Sequence, residues 1–113
     1  MRDEIKGMEM DALPVTIERF VDDDFPGLVE CVLVDSEDYT HRFVEKAPVV
    51  STANLSLDSA FPQSGYIACV VEEGWTDERG RQLVRVDTIK PWGIESSAGE
   101  TTFTVLRDQI ERV

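Results

Sequence analysis

The chain has 113 residues, the length of a single domain, and its 42% hydrophobic and 30% charged residues are typical of a folded globular protein. Its 23 acidic and 11 basic residues give a formal net charge of −12 at pH 7. This charge disfavours nucleic acid and anionic membranes as partners, because both are negatively charged, and it would attract a basic protein. Residues 1–46 carry 13 acids and 5 bases, a net charge of −8, and residues 47–113 carry the remaining −4.

No stretch approaches the roughly 18–20 apolar residues of a membrane span, and the charged first ten residues lack the apolar run of a signal peptide. We therefore expect a cytoplasmic protein without a membrane segment. Cys31 and Cys69 form no C-x-x-C pair, and both lie among apolar residues. This setting predicts two buried free thiols, with a disulfide between adjacent strands as the alternative.

The first half of the chain predicts an arm followed by three strands. Residues 1–13 are mixed and polar and are expected to form a flexible arm, ahead of one domain over residues 14–113. Apolar and polar residues alternate from Pro14 to Phe20, which predicts an edge strand. Leu28–Val34 is apolar at nearly every position, as in a central strand, and it predicts a hairpin with the alternating run Tyr39–Lys46.

The second half predicts one helical turn and three further strands. Ser51 or Thr52 is placed to cap a short helical turn near residues 52–61. Residues 66–72 and 80–88 predict a hairpin across a polar loop, and residues 101–106 predict a last strand because they are rich in β-branched side chains.

Together these runs predict an all-β fold, a small antiparallel β-barrel of six or seven strands, with a β-sandwich as the alternative. The strand and loop order from Leu28 to Ser51 resembles that of the β-barrel domains appended to translation GTPases. That resemblance implies a barrel fold, and it does not assign a function to any residue.

Catalytic and metal-binding groupings are not evident. His41 is the only histidine, and no serine lies in a G-x-S-x-G context that would make it a nucleophile. Asp22, Asp23 and Asp24 lack the spacing of a calcium loop, so they are expected to form a solvated turn. No phosphate-binding glycine loop and no zinc pattern occurs, and we expect no enzyme activity, no metal and no cofactor.

Two tryptophans beside glycine turns are the candidate recognition residues, because tryptophan and arginine dominate interface hot spots. The basic residues Arg79, Arg81 and Arg85 lie between Trp75 and Trp92 in the sequence. This combination predicts a partner-binding patch, and a small ligand or nucleic acid bound by the same patch is the alternative. Both tryptophans could instead close the ends of the barrel.

The leading hypothesis is a non-enzymatic protein-interaction module, for example an inhibitor or immunity-type protein that shields a basic partner surface. The binding acids would then be Asp22, Asp23, Asp24, Glu37 and Asp38. Homo-oligomerisation through the predicted edge strand Pro14–Phe20 stays open.

Overall fold

The computed structural model describes residues 10–53, 55, 56 and 58–112. These residues form one curled antiparallel sheet in the order β3-β2-β1-β4-β5-β6, with β7 paired to β1. The predicted all-β, barrel-like fold is confirmed. In chain order the elements are β1 Asp11–Asp22, β2 Leu28–Val34, β3 Thr40–Lys46, α1 Ala47–Val50, β4 Gln63–Thr76, β5 Gln82–Asp87, β6 Thr102–Leu106, a 3-10 turn Arg107–Gln109, and β7 Glu111–Arg112.

β1 lies in the interior of the sheet, so the prediction of an edge strand there was wrong. Residues 16–22 pair with β2 and residues 11–17 pair with β4 on the other side. Alternation correctly placed Val15 and Ile17 on the buried face, but it reports the two faces of a strand and carries no information about its two edges. β1 therefore has a neighbouring strand on each side, instead of the free edge on which the homo-oligomer hypothesis was based. β1 also begins at Asp11, before the predicted start at Pro14, while residues 1–9 of the predicted arm lie outside the described residues.

β4 changes partner along its length. Its first half, residues 63–69, pairs with β1, and its second half, residues 70–76, pairs with β5 on the opposite edge. The predicted hairpin with β5 is present, but β4 continues to Thr76 instead of ending at Glu72. The turn comes later because the Asp77 carboxylate accepts the backbone N–H groups of Arg79 and Arg81.

The two edge strands of the half-barrel, β3 and β6, approach each other on the far side of the core. The Ser36 N–H donates to the Thr104 carbonyl over 3.1 Å, and the Ser97 N–H donates to the Arg42 carbonyl over 2.8 Å. Sixteen buried side chains fill the interior: Leu13, Val15, Ile17, Val29, Cys31, Leu33, Phe43, Ala47, Val50, Ile67, Cys69, Val84, Val86, Ile94, Phe103 and Val105.

Among the described residues, the one α-helix is the short Ala47–Val50, so the predicted position of a helical turn near residues 52–61 was wrong. The described residues of that segment form bends and turns. Serine hydroxyls explain the difference, because they satisfy nearby backbone N–H groups outside a helix. Ser51 Oγ accepts the Ala53 N–H at 3.0 Å, and Ser56 Oγ accepts the Asp58 N–H at 3.2 Å.

Candidate binding surfaces

The turn between β1 and β2 presents three carboxylates together. One oxygen from each of Asp22, Asp23 and Asp24 lies within 4.8 Å of the other two, and all three residues are exposed. Asp22 Oδ1 accepts the Asp24 N–H at 2.9 Å, and the Asp24 carbonyl accepts the Gly27 N–H at 2.6 Å, which closes the turn. Within the described part of the chain, none of the three carboxylates has a cationic partner. We call residues 22–25 the acidic turn.

Phe25 is the aromatic member of the acidic turn, and its side chain is 98% exposed. A shallow depression of about 360 Å³ lies beside it, lined in part by Phe20, Pro26, Leu55 and Asp58. Sequence analysis missed Phe25. The sequence did contain a sign of its exposure. Phe25 is an aromatic residue in a turn between two strands, outside the alternating pattern that places strand residues on a buried face.

The acidic turn has an incomplete ligand set for a metal. Calcium takes about six to eight oxygen ligands, and three consecutive exposed aspartates offer one oxygen each toward a common point. The closeness of three negative charges instead favours a diffuse cationic partner such as a lysine- or arginine-rich surface.

The other two predicted binding acids lie at the opposite end of β2. Seven residues of strand separate Glu37 and Asp38 from the acidic turn, a distance of roughly 20 Å at about 3.3 Å per residue. Glu37 forms an ion pair with Arg81, with 2.8 Å between Oε2 and Nη2. The five predicted acids therefore do not form one surface.

The predicted basic patch is largely neutralised. The Arg81 guanidinium donates to Asp77, to Glu37 and to the Ser36 carbonyl, at 2.8, 2.8 and 2.9 Å. Hydrogen bonds from Arg81, led by its backbone N–H, hold the pKa of Asp77 below its ordinary value.

Arg85 is neutralised in the same way by two glutamates of β4. Its Nε lies 3.3 Å from Glu72 and its Nη2 lies 2.6 Å from Glu73. These contacts, led by the hydrogen bond to Glu72, raise the pKa of Arg85. Arg79 is the third predicted arginine. Among the described residues, its side chain forms no ion pair with a carboxylate.

The two tryptophans occupy separate places, and neither is buried in the core. Trp75 lies within β4 opposite Leu83 and is 36% exposed, so its predicted place in a loop was wrong. Trp92 lies in the turn after β5 and is 59% exposed. It lines a cleft of about 690 Å³ that Trp75 does not line.

His41 is held between two acids. Its Nε2 lies 2.7 Å from Asp35 Oδ2, its Nδ1 lies 3.2 Å from Glu100 Oε1, and its ring meets Phe103 edge-on at 4.9 Å. Burial raises the pKa of Asp35, but hydrogen bonds from His41 and from two backbone N–H groups outweigh it and lower that pKa. Each ring nitrogen is thus within hydrogen-bond distance of a carboxylate, and no hydroxyl or thiol of the described residues is hydrogen-bonded to the ring.

Both cysteines are buried and free, as predicted. Burial, with smaller contributions from nearby acids, raises the pKa of each thiol to about 12. A thiolate is the reactive form of cysteine, so neither residue is suited to nucleophilic chemistry near neutral pH.

Comparisons with protein-family models, curated protein sequences and solved structures found no match to this chain. Among the described residues, no helix has the length and apolar character needed to cross a membrane. The protein is thus an all-β half-barrel with two candidate binding surfaces, the acidic turn and the cleft beside Trp92.

Proposed function

We propose that the protein is a non-enzymatic, cytoplasmic interaction module that binds a basic partner protein through the acidic turn. An inhibitor or immunity-type protein that shields a basic surface is one concrete form. The observation that carries this proposal is the full exposure of Phe25 beside three carboxylates that have no cationic partner in the described structure.

The two parts of the acidic turn would serve different steps of binding. Exposed carboxylates on a chain of net charge −12 accelerate the approach of a basic surface through long-range attraction. Phe25 would then bury its ring against the partner, and full burial of a phenylalanine side chain contributes about 1.5–3 kcal/mol. Aromatic anchors surrounded by weaker contacts are the usual pattern of interface hot spots.

The remaining chemistry of the chain supports binding without catalysis. His41 has carboxylates at both ring nitrogens, and Cys31 and Cys69 are buried thiols of high pKa. The alternative of a ligand bound jointly by tryptophan and arginine has less support, because Arg81 and Arg85 are each engaged by two carboxylates.

The test begins with capture of partners from the lysate of the source organism at about 0.05 and 0.5 M salt, because screening weakens attraction between exposed charges. Captured proteins are identified by mass spectrometry, and the association rate of the purified partner is then measured by surface plasmon resonance. The informative variant is Asp22→Asn/Asp23→Asn/Asp24→Asn, which keeps the oxygen that closes the turn. Its matched control neutralises three other exposed acids, Glu78→Gln/Glu95→Gln/Asp108→Asn, so that both variants have a net charge of −9.

We expect a basic partner whose association rate falls about tenfold or more at high salt, and falls similarly for the aspartate variant at low salt. The control variant should have a clearly smaller effect. Phe25→Ala should mainly accelerate dissociation. Equal effects of the two triple variants, an association rate independent of salt, or no captured basic protein would count against the proposal.

A further inference from the structure

The cleft beside Trp92 follows the first half of β4. Its walls are the segment 48–53 after β3, residues 63–66 and Ala68 of β4, and the turn that carries Trp92. Pro48, Val49, Tyr66 and Trp92 provide apolar surface, and none of the described residues that line it is charged. The volume of about 690 Å³ is within the range of binding clefts, about 300–1,000 Å³.

The backbone edge of β4 is open along this cleft. On the side away from β1, β4 pairs with β5 only from Val70 onward, and β5 ends at Asp87 opposite Val70. The chain then turns away: Asp87 Oδ1 accepts the Ile89 N–H, and the Thr88 N–H donates to the carbonyl of Thr101, just before β6. Residues 63–69 therefore have no strand partner on this side among the described residues.

An open edge of this length presents unpaired hydrogen-bonding groups. Successive residues of an antiparallel strand direct their N–H and C=O groups to opposite edges, so about three residues of 63–69 present both groups toward the cleft. Ala12 and Ala68 pair with each other across β1 and β4 on the face that lines the cleft. Both alanine side chains are buried.

We propose that an extended, uncharged segment of a partner protein binds in this cleft as an added strand against residues 63–69 of β4. The backbone of the segment would satisfy the open edge, and alternate side chains would pack on Trp92 and Tyr66. The uncharged character of the described lining residues fits an uncharged segment, since a charge buried against them would meet no opposite charge on these residues.

The overall charge argues for a different protein as the occupant rather than a second copy. Two copies would each carry a net charge of −12, and none of the described lining residues has a charge that would offset their repulsion. An added strand would lie on the same side of β4 as β5, because β5 pairs with that side from Val70 onward.

The test uses a displayed library of random seven-residue peptides, selected on the full-length protein, with affinities of individual synthetic peptides then measured by calorimetry. We expect uncharged, β-prone sequences to be enriched. Trp92→Ala should weaken their binding about tenfold or more, as for other tryptophan anchors, and the matched control Trp75→Ala, outside the cleft, should leave it unchanged. Asp22→Asn/Asp23→Asn/Asp24→Asn should also leave it unchanged, which separates this site from the acidic turn.

Strand addition is distinguished from simple apolar binding by methylating the peptide backbone nitrogens one at a time. Methylation should abolish binding at alternate residues and be tolerated at the residues between them, because only alternate N–H groups face β4. Amide exchange within residues 63–69 should slow on binding, also at alternate positions. Absence of selected peptides, binding insensitive to Trp92→Ala, equal effects of methylation at every position, or a dimer of the free protein that protects this edge would each overturn the proposal.

Discussion

β2 has an acid-rich turn at each end, and the two turns differ in whether their acids contact the rest of the protein. At its start, the acidic turn has an exposed Phe25 and three carboxylates that form no ion pair with any residue the structure describes. At its end, residues 35–39 are tied to the rest of the protein: Asp35 is bonded to His41, Glu37 to Arg81, and the Ser36 N–H to β6. Acidic composition is the same at both ends. What distinguishes a surface available for binding is the absence of partners, which is a property of the folded chain.

The largest difference in stability should appear when a phenylalanine is replaced by alanine on each side of this comparison. Phe103 is 3% exposed and packs against His41 and Phe43, so Phe103→Ala should lower the free energy of unfolding by about 3–5 kcal/mol. Phe25→Ala should change it by no more than about 0.5 kcal/mol, since its ring has almost no neighbours to lose. Urea unfolding followed by far-UV circular dichroism measures both. Comparable losses would show that Phe25 has a structural role and would weaken its assignment as an anchor.

A second pair of variants compares the aspartates of the two turns. Asp35→Asn keeps an oxygen for the Glu37 and Tyr39 N–H groups but places an amide NH2 group opposite His41 Nε2 in place of the carboxylate oxygen. In a site that is mostly shielded from water, this change should lower the free energy of unfolding by about 1–3 kcal/mol. The lower part of that range is expected, because some solvent reaches the site. Asp23→Asn should leave stability unchanged. The comparison would fail if neutralising Asp23 proved as costly in the same denaturation experiment.

The stability difference between the wild type and Asp35→Asn should depend on pH. The folded-state pKa of Asp35 is lower than its unfolded value, so its contribution is present above the unfolded pKa of about 3.9 and is lost as pH falls through the lower folded pKa. The two proteins should therefore approach equal stability as the pH falls below the lowered folded-state pKa of Asp35. Unfolding curves across this range test the sign, and a difference that grows with acidity would contradict it.

The smallest effect is expected for the two arginines of the β4–β5 turn. Arg81→Gln removes contacts to Asp77, Glu37 and the Ser36 carbonyl, so it should lower the melting temperature by a few degrees. Arg79→Gln, which removes the same charge two residues earlier, should not change it measurably. Differential scanning calorimetry at low and high salt compares them, and the difference should decrease with salt. Equal melting temperatures would mean that the contacts between Arg81 and the turn after β2 add no stability.

Much of the fold was predictable because strand faces follow a local period. The alternation of residues 40–46 separated His41 and Phe43 from Arg42 and Val44, and the structure shows that the first pair is the less exposed one. The hairpins between β2 and β3 and between β4 and β5 were predicted for the same reason, since polar turn residues separate two apolar runs. The burial of Cys31 and Cys69 followed from their apolar neighbours.

The candidate sites were predicted less well because their character depends on contacts between distant segments. Arg81 looked like a free cation in the sequence, but Glu37, 44 residues earlier, neutralises it. Trp75 looked like a loop residue until the pairing with Leu83 extended β4 past it. The acids of the two turns were grouped together, although β2 holds them apart.

The sequence by itself determined which segments are strands, which faces they bury and that the surface is strongly acidic, because these properties depend on residue type and on a period of two residues. Only the tertiary structure decided that β1 is paired on both edges, that residues 63–69 of β4 are paired on one edge alone, and that the carboxylates of the acidic turn have no cationic partner within the described residues. Edge pairing and charge pairing join residues far apart in the chain, and no local pattern encodes which of them will meet.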